Sequence, residues 1–101
     1  MKDLKDKVAG ITGAASGIGR MLAVEPAKKG CEVSIADIDP KGLQETRSMV
    51  EETTERCSTH ELDVARREKV YAWADEVVKR HGRVDMIINN AGVGLNPQQC
   101  K

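Results

Sequence analysis

Phenylalanine is absent from the 101 residues of this chain, and Trp73 and Tyr71 are its only aromatic residues apart from histidine. A folded core must therefore come from Val, Ile, Leu, Ala and Met, in a chain long enough for one small domain. An excess of charge is absent too, since sixteen basic and sixteen acidic residues balance, with no block of like charge. We therefore expect neither a nucleic-acid-binding surface nor a polybasic membrane-binding patch.

Long apolar runs are also missing, and the opening stretch MKDLKDK is charged with no apolar segment behind it. These features predict neither a membrane span nor a secretory signal. The three cysteines, Cys31, Cys57 and Cys100, are widely spaced and form no C-x-x-C pair, which is typical of reduced thiols. Cys57 and His60 are too few ligands to predict a zinc site. We expect a cytoplasmic protein without a metal.

Short apolar runs alternate along the chain with longer segments of helical periodicity. Asp39 and Pro40 are typical of a helix start, and Gly30 and Gly82 lie where helices are predicted to end. This order, with short connections, predicts an α/β domain with a parallel sheet and right-handed crossovers, spanning residues 1–95 before a polar tail at 96–101. Strands are predicted at residues 7–12, 32–36, 58–63 and 84–89, and helices at 17–29, 40–56 and 66–81.

Two residues disagree with these elements. Pro26 falls inside the first predicted helix, where the missing N–H and the ring clash cost about 3 kcal/mol if the helix stays unkinked. Gly10 lies in the middle of the first predicted strand, where it is a smaller defect. We expect both residues to weaken the first strand–helix unit.

The stretch VAGITGAASGIGR, residues 8–20, places three glycines between the first predicted strand and the first predicted helix. A glycine loop in this position is typical of phosphate binding. Gly13 would let the chain leave the strand with an unrestricted φ. Gly17 and Gly19 would let the helix N-terminus approach a diphosphate and pack closely on the sheet. No lysine follows in a G-K-S/T arrangement, which excludes a nucleoside-triphosphate P-loop.

The glycines have the spacing T-G-x-x-x-G-x-G from Thr12 to Gly19, and NNAG follows at residues 89–92. The two motifs in this order resemble the short-chain dehydrogenase/reductase family, and the resemblance runs from residue 7 to about residue 95. It implies a Rossmann-like parallel sheet, truncated after four strands, with strand order 3-2-1-4 and crossover helices. It also implies an oxidoreductase that binds a dinucleotide and transfers hydride between nicotinamide and a carbon bearing oxygen.

The resemblance assigns Asp37, at the end of the second predicted strand, to the adenosine ribose hydroxyls. A carboxylate there repels a 2′-phosphate, and neither Ala15 nor Ser16 supplies a basic side chain, so NAD is expected in preference to NADP. An alternative interpretation makes Asp37 a turn residue that caps the stretch DIDPKG.

Two further segments complete the cofactor site that the resemblance implies. Asp63 and Val64 would lie beside the adenine ring, with a plain strand end as the alternative. The last three residues of NNAG would lie along a ribose of the cofactor, while Asn89 would serve the sheet through hydrogen bonds. The residues expected to contact the cofactor are Gly13, Ser16, Gly17, Ile18, Gly19, Asp37, Asp63, Val64, Asn90, Ala91 and Gly92.

The catalytic pair of the family is absent from this sequence. The family uses a Tyr followed four residues later by a Lys, because a phenol that ionises near pH 10 needs a neighbouring cation to exchange protons at neutral pH. Here the one tyrosine, Tyr71, is followed at that spacing by Asp75, which is an acid. We therefore assign no catalytic residue to the chain.

Two interpretations stay open at this point. The chain is the NAD-binding half of an oxidoreductase, or it is a non-catalytic short protein that binds nucleotide weakly or acts as an interaction module beside a full-length relative. In both cases the fourth predicted strand, with Met86, Ile87 and Ile88, lacks an outer neighbour. An unpaired apolar edge invites pairing with another chain, so we expect self-association through this strand.

Overall fold

The computed structural model describes residues 5–54, 56–63 and 66–90. Their strands form one parallel sheet with the order β3-β2-β1-β4. The predicted α/β class, Rossmann-like with crossover helices, is confirmed. The predicted tail at 96–101 and the predicted domain end at residue 95 lie outside the described residues. In chain order the elements are β1 (Val8–Thr12), α1 (Gly17–Lys28), β2 (Glu32–Asp37), α2 (Pro40–Glu51), β3 (Cys57–Glu61), α3 (Arg67–His81) and β4 (Met86–Asn89).

Strand β1 lies in the middle of the sheet and sets its register. Thr12 pairs with Ala36 on β2 and with Asn89 on β4, so these strands end at the same level. We call this side of the sheet, where β1, β2 and β4 end, the carboxyl edge. The opposite side, where β1, β2 and β3 begin, is the amino edge. Because the strands are parallel, each connection from a strand to the next helix starts at the carboxyl edge.

The core fills both faces of the sheet without a phenylalanine. On one face, aliphatic side chains of α1 and α2 pack against the sheet, and on the other face Trp73 and Val77 of α3 do so. All five residues of β1 are buried, as expected for a central strand of a parallel sheet. Strand β4 is only half-buried: Ile88 packs against the apolar cluster on the face that α1 and α2 cover, whereas Ile87 is exposed.

Three elements have a boundary that lies two or more residues from the predicted one. Helix α2 ends at Glu51 instead of residue 56, because the N–H groups of Thr53 and Thr54 bond back to the carbonyl of Val50 and close the last turn. Strand β3 covers Cys57–Glu61 instead of 58–63. Strand β4 starts two residues late, because the Asp85 carboxylate accepts a hydrogen bond from the Val8 N–H at 2.9 Å and ties the connection to β1.

Neither of the two expected defects interrupts its element. Helix α1 continues past Pro26 to Lys28, so the proline lies in the last turn. A Cβ atom at Gly10 would lie 3.1 Å from two ring atoms of Trp73. Glycine at this point of β1 therefore lets the indole ring of α3 pack directly on the strand.

Candidate functional site

Three glycines shape the loop between β1 and α1, and they do so for two different reasons. Gly13 and Gly17 have φ angles of 67° and 58°, which side chains other than glycine rarely adopt. No atom of the described residues lies within 4 Å of a Cβ built on Gly17, so within this part of the chain only the backbone conformation requires glycine there. At Gly19 a Cβ would lie 1.8 Å from the carbonyl oxygen of Gly13. Gly19 therefore lets α1 start against the end of β1.

The first turn of α1 presents N–H groups that have no acceptor inside the helix. Its N-cap, Ser16, is extended and makes no side-chain capping bond, and the first turn contains no acidic residue. The helix dipole adds partial positive charge at this end. Beside these groups Ile18 is 73% exposed, which leaves an apolar surface next to the polar one. An anion such as a diphosphate fits this helix end.

Asp37 ends β2 beside the same loop. Its Oδ2 accepts a hydrogen bond from the Ala15 N–H at 3.0 Å, and its Oδ1 accepts one from the Asp39 N–H at 3.1 Å. A carboxylate has about four acceptor positions, so with the donors of residues 5–54, 56–63 and 66–90 each oxygen keeps one for a further donor. The N-cap of α2 is Asp39, which accepts from the N–H groups of Lys41 and Gly42. The Asp37 carboxylate is thus held in place and can accept two hydroxyl groups at once.

The end of β4 lies on the other side of the loop. Asn89 accepts a hydrogen bond from the Thr12 hydroxyl at 2.7 Å and so links β4 to β1, the sheet role that the sequence suggested for it. Asn90 donates to the Gly13 carbonyl oxygen at 3.4 Å. The structure thus brings Asn90, Gly13 and Gly19 into contact at the carboxyl edge.

The other predicted cofactor residues are only partly covered by the structure. Asp63 is exposed two residues after β3, and its neighbour Leu62 donates its N–H to the Asp37 carbonyl oxygen at 2.9 Å. This bond links the end of β3 to the end of β2. Val64, Ala91 and Gly92 lie outside the described residues.

The sequence model of the short chain dehydrogenase family matches residues 7–101. The chain belongs to the short-chain dehydrogenase family. It corresponds to the nucleotide-binding part of the family fold, and it spans about a third of the length of several curated relatives that it matches.

Individual relatives of this short-chain dehydrogenase chain resemble it along most of its length. SadH of Mycobacterium tuberculosis is 42% identical over 96 residues, which are 95% of this chain and 35% of that protein. Carveol dehydrogenase from Mycobacterium avium, solved in complex with NAD, has a TM-score of 0.85 and 34% identity, covering 95% of this chain and 39% of the other. A short chain dehydrogenase/reductase from Burkholderia phymatum, also in complex with NAD, has a TM-score of 0.85 and 36% identity. The match covers 93% of this chain and 34% of the other.

Sequence reasoning missed three residues behind the loop of this short-chain dehydrogenase. Arg20 donates hydrogen bonds to the Ala15 carbonyl oxygen and to the Thr46 hydroxyl. Thr46 is fully buried and donates to the Ala14 carbonyl oxygen. A Cβ on the third residue, Gly42, would lie 2.6 Å from the Ala15 Cβ. Only a glycine early in the second predicted helix hinted at this close approach.

The described part of the chain offers few other functional groups. Tyr71 is 64% exposed on α3, one turn before Asp75. Across residues 5–54, 56–63 and 66–90, no three His, Cys, Asp or Glu side chains are grouped to hold a metal ion. The same residues include no helix that is long and apolar enough to cross a membrane.

Proposed function

We propose that this chain is the NAD-binding part of an oxidoreductase that transfers hydride between nicotinamide and an alcohol or carbonyl carbon. The observation that carries the proposal is the meeting of the uncapped α1 N-terminus and the doubly bonded Asp37 at one edge of the sheet. The two related enzymes solved with NAD support it. The cofactor supplies the hydride chemistry, and the residues of this chain bind and orient it.

Each part of the site has a proposed task in binding. The first turn of α1 holds the diphosphate, and Ile18 covers it from the side, while Ser16 and the glycines let the cofactor approach. Asp37 accepts the two hydroxyl groups of the adenosine ribose. The remaining predicted residues contact the adenine ring or a ribose of the cofactor: Asp63, Val64, Asn90, Ala91 and Gly92.

Asp37 is also the proposed reason for a preference for NAD over NADP. The 2′-phosphate of NADP would face this carboxylate, and two like charges at such a distance cost about 2 kcal/mol or more. Titration calorimetry of the chain with both nucleotides tests the preference. NAD should bind at least about tenfold more tightly than NADP, and Asp37→Asn should narrow the difference. The matched control is Asp75→Asn, which removes an exposed acid on α3. Equal or tighter binding of NADP to the unmodified chain contradicts the assignment.

The 101-residue chain itself should not turn over an alcohol or a carbonyl compound. Its one tyrosine is exposed on α3 and has an acid one turn later in place of a lysine. The assay is NADH absorbance with purified chain and a panel of alcohols and ketones. Turnover above the buffer rate that disappears in Asp37→Ala would contradict this expectation.

An interaction through the edge of β4 is the second candidate function, and the exposure of Ile87 favours it. Among the described residues β4 pairs only with β1, and Ile87 is 42% exposed. We propose that this edge pairs with a second copy of the chain. Sedimentation at low micromolar protein should reveal association that Ile87→Lys reduces. A monomeric chain with a cooperative unfolding transition would overturn the proposal.

The cytoplasm is the proposed location of the protein. Cys31 and Cys57 are buried thiols that form no disulfide among the described residues, and burial raises the pKa of the Cys57 thiol to about 11. A reducing compartment preserves such thiols. Antibody detection after fractionation of the source cells checks the proposal, and recovery in the secreted or membrane fraction would contradict it.

A further inference from the structure

The carbonyl groups of Ala14 and Ala15 point from the glycine loop towards α2. The Thr46 hydroxyl donates to the Ala14 oxygen at 2.6 Å, and the Arg20 guanidinium donates to the Ala15 oxygen. The Nε of Arg20 also donates to the Thr46 hydroxyl oxygen at 2.8 Å. Two side chains from two helices thus hold two adjacent carbonyl groups and each other.

The N–H groups of the same two residues point the other way, towards β2. Ala14 donates to the Ala36 carbonyl oxygen at 3.2 Å, and Ala15 donates to Oδ2 of Asp37 at 3.0 Å. Every main-chain polar group of Ala14 and Ala15 therefore has a partner. The loop is fixed from both sides immediately before the helix end that faces the proposed diphosphate.

The side chain of Arg20 is itself held by α2. Its Nη2 bonds to Glu45 at 3.0 Å and to the Gly42 carbonyl oxygen at 3.4 Å, and only about a quarter of the side chain is exposed. Gly42 allows this arrangement, because a side chain there would strike Ala15. Helix α2 consequently acts as a rigid backing for the loop.

We propose that Arg20 and Thr46 are positioning residues for the dinucleotide. They fix the peptide groups of Ala14 and Ala15, and through the Ala15 N–H they fix the Asp37 carboxylate. If the Ala15 peptide turned, Asp37 would lose one of the two main-chain bonds that orient it. The first-turn N–H groups of α1 would lose their common direction as well. This inference rests on the proposed NAD-binding function.

The experiment compares Thr46→Val, which keeps the side-chain shape without the hydroxyl, with Thr46→Ser, which keeps the hydroxyl. Arg20→Lys keeps the charge but not the forked donor. Its matched control is Arg47→Lys, which alters an exposed pair with Glu51 on α2. Hydrogen exchange by NMR follows the Ala15 amide against the Ile35 amide in the nucleotide-free chain, and calorimetry then measures NAD affinity.

Thr46→Val and Arg20→Lys should each speed exchange at Ala15 about tenfold relative to Ile35, and weaken NAD by about the same factor. In Thr46→Ser and Arg47→Lys, the exchange rate at Ala15 and the NAD affinity should stay close to those of the unmodified chain. Equal acceleration at Ala15 and Ile35 would mean a merely structural role and would overturn the proposal, as would a loosened loop with unchanged NAD affinity. If Thr46→Val fails to fold, the exchange rates and NAD affinities of Arg20→Lys and Thr46→Ser decide whether the proposal holds.

The proposed function and the positioning role fail in different ways. If the unmodified chain binds no NAD, the proposed function is wrong. The exchange rates at Ala15 still decide whether Arg20 and Thr46 hold the loop, and unchanged rates in Thr46→Val and Arg20→Lys would overturn that role as well.

Discussion

The carboxyl and amino edges of the sheet use polar groups in opposite ways. At the carboxyl edge, Asp37 keeps an acceptor position on each oxygen, and Ser16 leaves the N–H groups of α1 uncapped. At the amino edge, Glu32 accepts from Arg56 at 2.6 Å, and its other oxygen lies 2.8 Å from Nδ1 of His81. Spare hydrogen-bonding capacity marks the edge that suits a ligand, and mutual pairing marks the edge that holds α3 to the sheet.

The network at the amino edge continues into the core. Nε2 of His81 lies 3.0 Å from the Ser58 hydroxyl, which donates to Ser34, and Trp73 donates its ring N–H to Ser34 as well. Glu32, His81 and Ser58 therefore have the order of a hydrolytic relay. Ser58 is only 7% exposed, however, so its hydroxyl is closed to a substrate. The network is better explained as a structural clamp between α3 and two strands.

The largest expected effect comes from breaking the carboxyl edge with Gly19→Ala. The new Cβ would overlap the Gly13 carbonyl oxygen, and main chain on both sides must move to relieve the clash. We expect a loss of more than about 3 kcal/mol in the free energy of unfolding, together with loss of NAD binding. Urea unfolding and calorimetry measure the two quantities.

Gly17→Ala is the matched control for Gly19→Ala. No described residue lies close to a Cβ at Gly17, so its positive φ is what opposes a side chain, at a cost of about 1 kcal/mol. If Gly19→Ala lowered the free energy of unfolding no more than Gly17→Ala, the inference that α1 starts in close contact with the end of β1 would be wrong.

The second-largest effect is expected from a substitution at the amino edge, Glu32→Gln. Burial alone raises the pKa of the Glu32 carboxyl, but hydrogen bonds from His81 and Arg56 outweigh it and hold the pKa below its ordinary value. The carboxylate therefore stabilises the fold above about pH 4.3, and this contribution disappears as the pH falls through the lowered pKa of the folded state. Glu32→Gln should lower the free energy of unfolding by about 2 kcal/mol at pH 7. It should also make the loss of stability between pH 7 and low pH less steep.

Urea unfolding between pH 2 and pH 7 measures this effect. The control is Glu51→Gln, which removes an exposed partner of Arg47 and should cost about 0.5 kcal/mol or less. If the free energy of unfolding of Glu32→Gln fell as steeply with decreasing pH as that of the unmodified chain, the role of Glu32 would be contradicted. NAD affinity at pH 7 should not change, since Glu32 lies at the far edge.

The difference between the edges also explains what could be read from the sequence. The alternation of apolar and helical segments is a local pattern and predicted the element order, and the glycine spacing and the position of Asp37 predicted residues of the proposed site. Arg20 and its partner Thr46 are 26 residues apart along the chain, His81 and its partner Glu32 are 49 apart, and no local pattern predicts such pairs. The sequence predicted a close approach at both Gly17 and Gly19, but only at Gly19 would a Cβ meet another atom of the described residues.

The smallest effect comes from a change between the two edges, Gly10→Ala. The added methyl group would lie 3.1 Å from the Trp73 ring, so the indole must shift by a few tenths of an ångström. We expect a loss of about 1 kcal/mol in the free energy of unfolding and a change in the fluorescence of Trp73, the one tryptophan of the chain. NAD affinity should stay unchanged, because Gly10 lies two residues before the end of β1. A stable variant with weakened NAD binding would show that the position of α3 is coupled to the carboxyl edge, and that the two edges do not act independently.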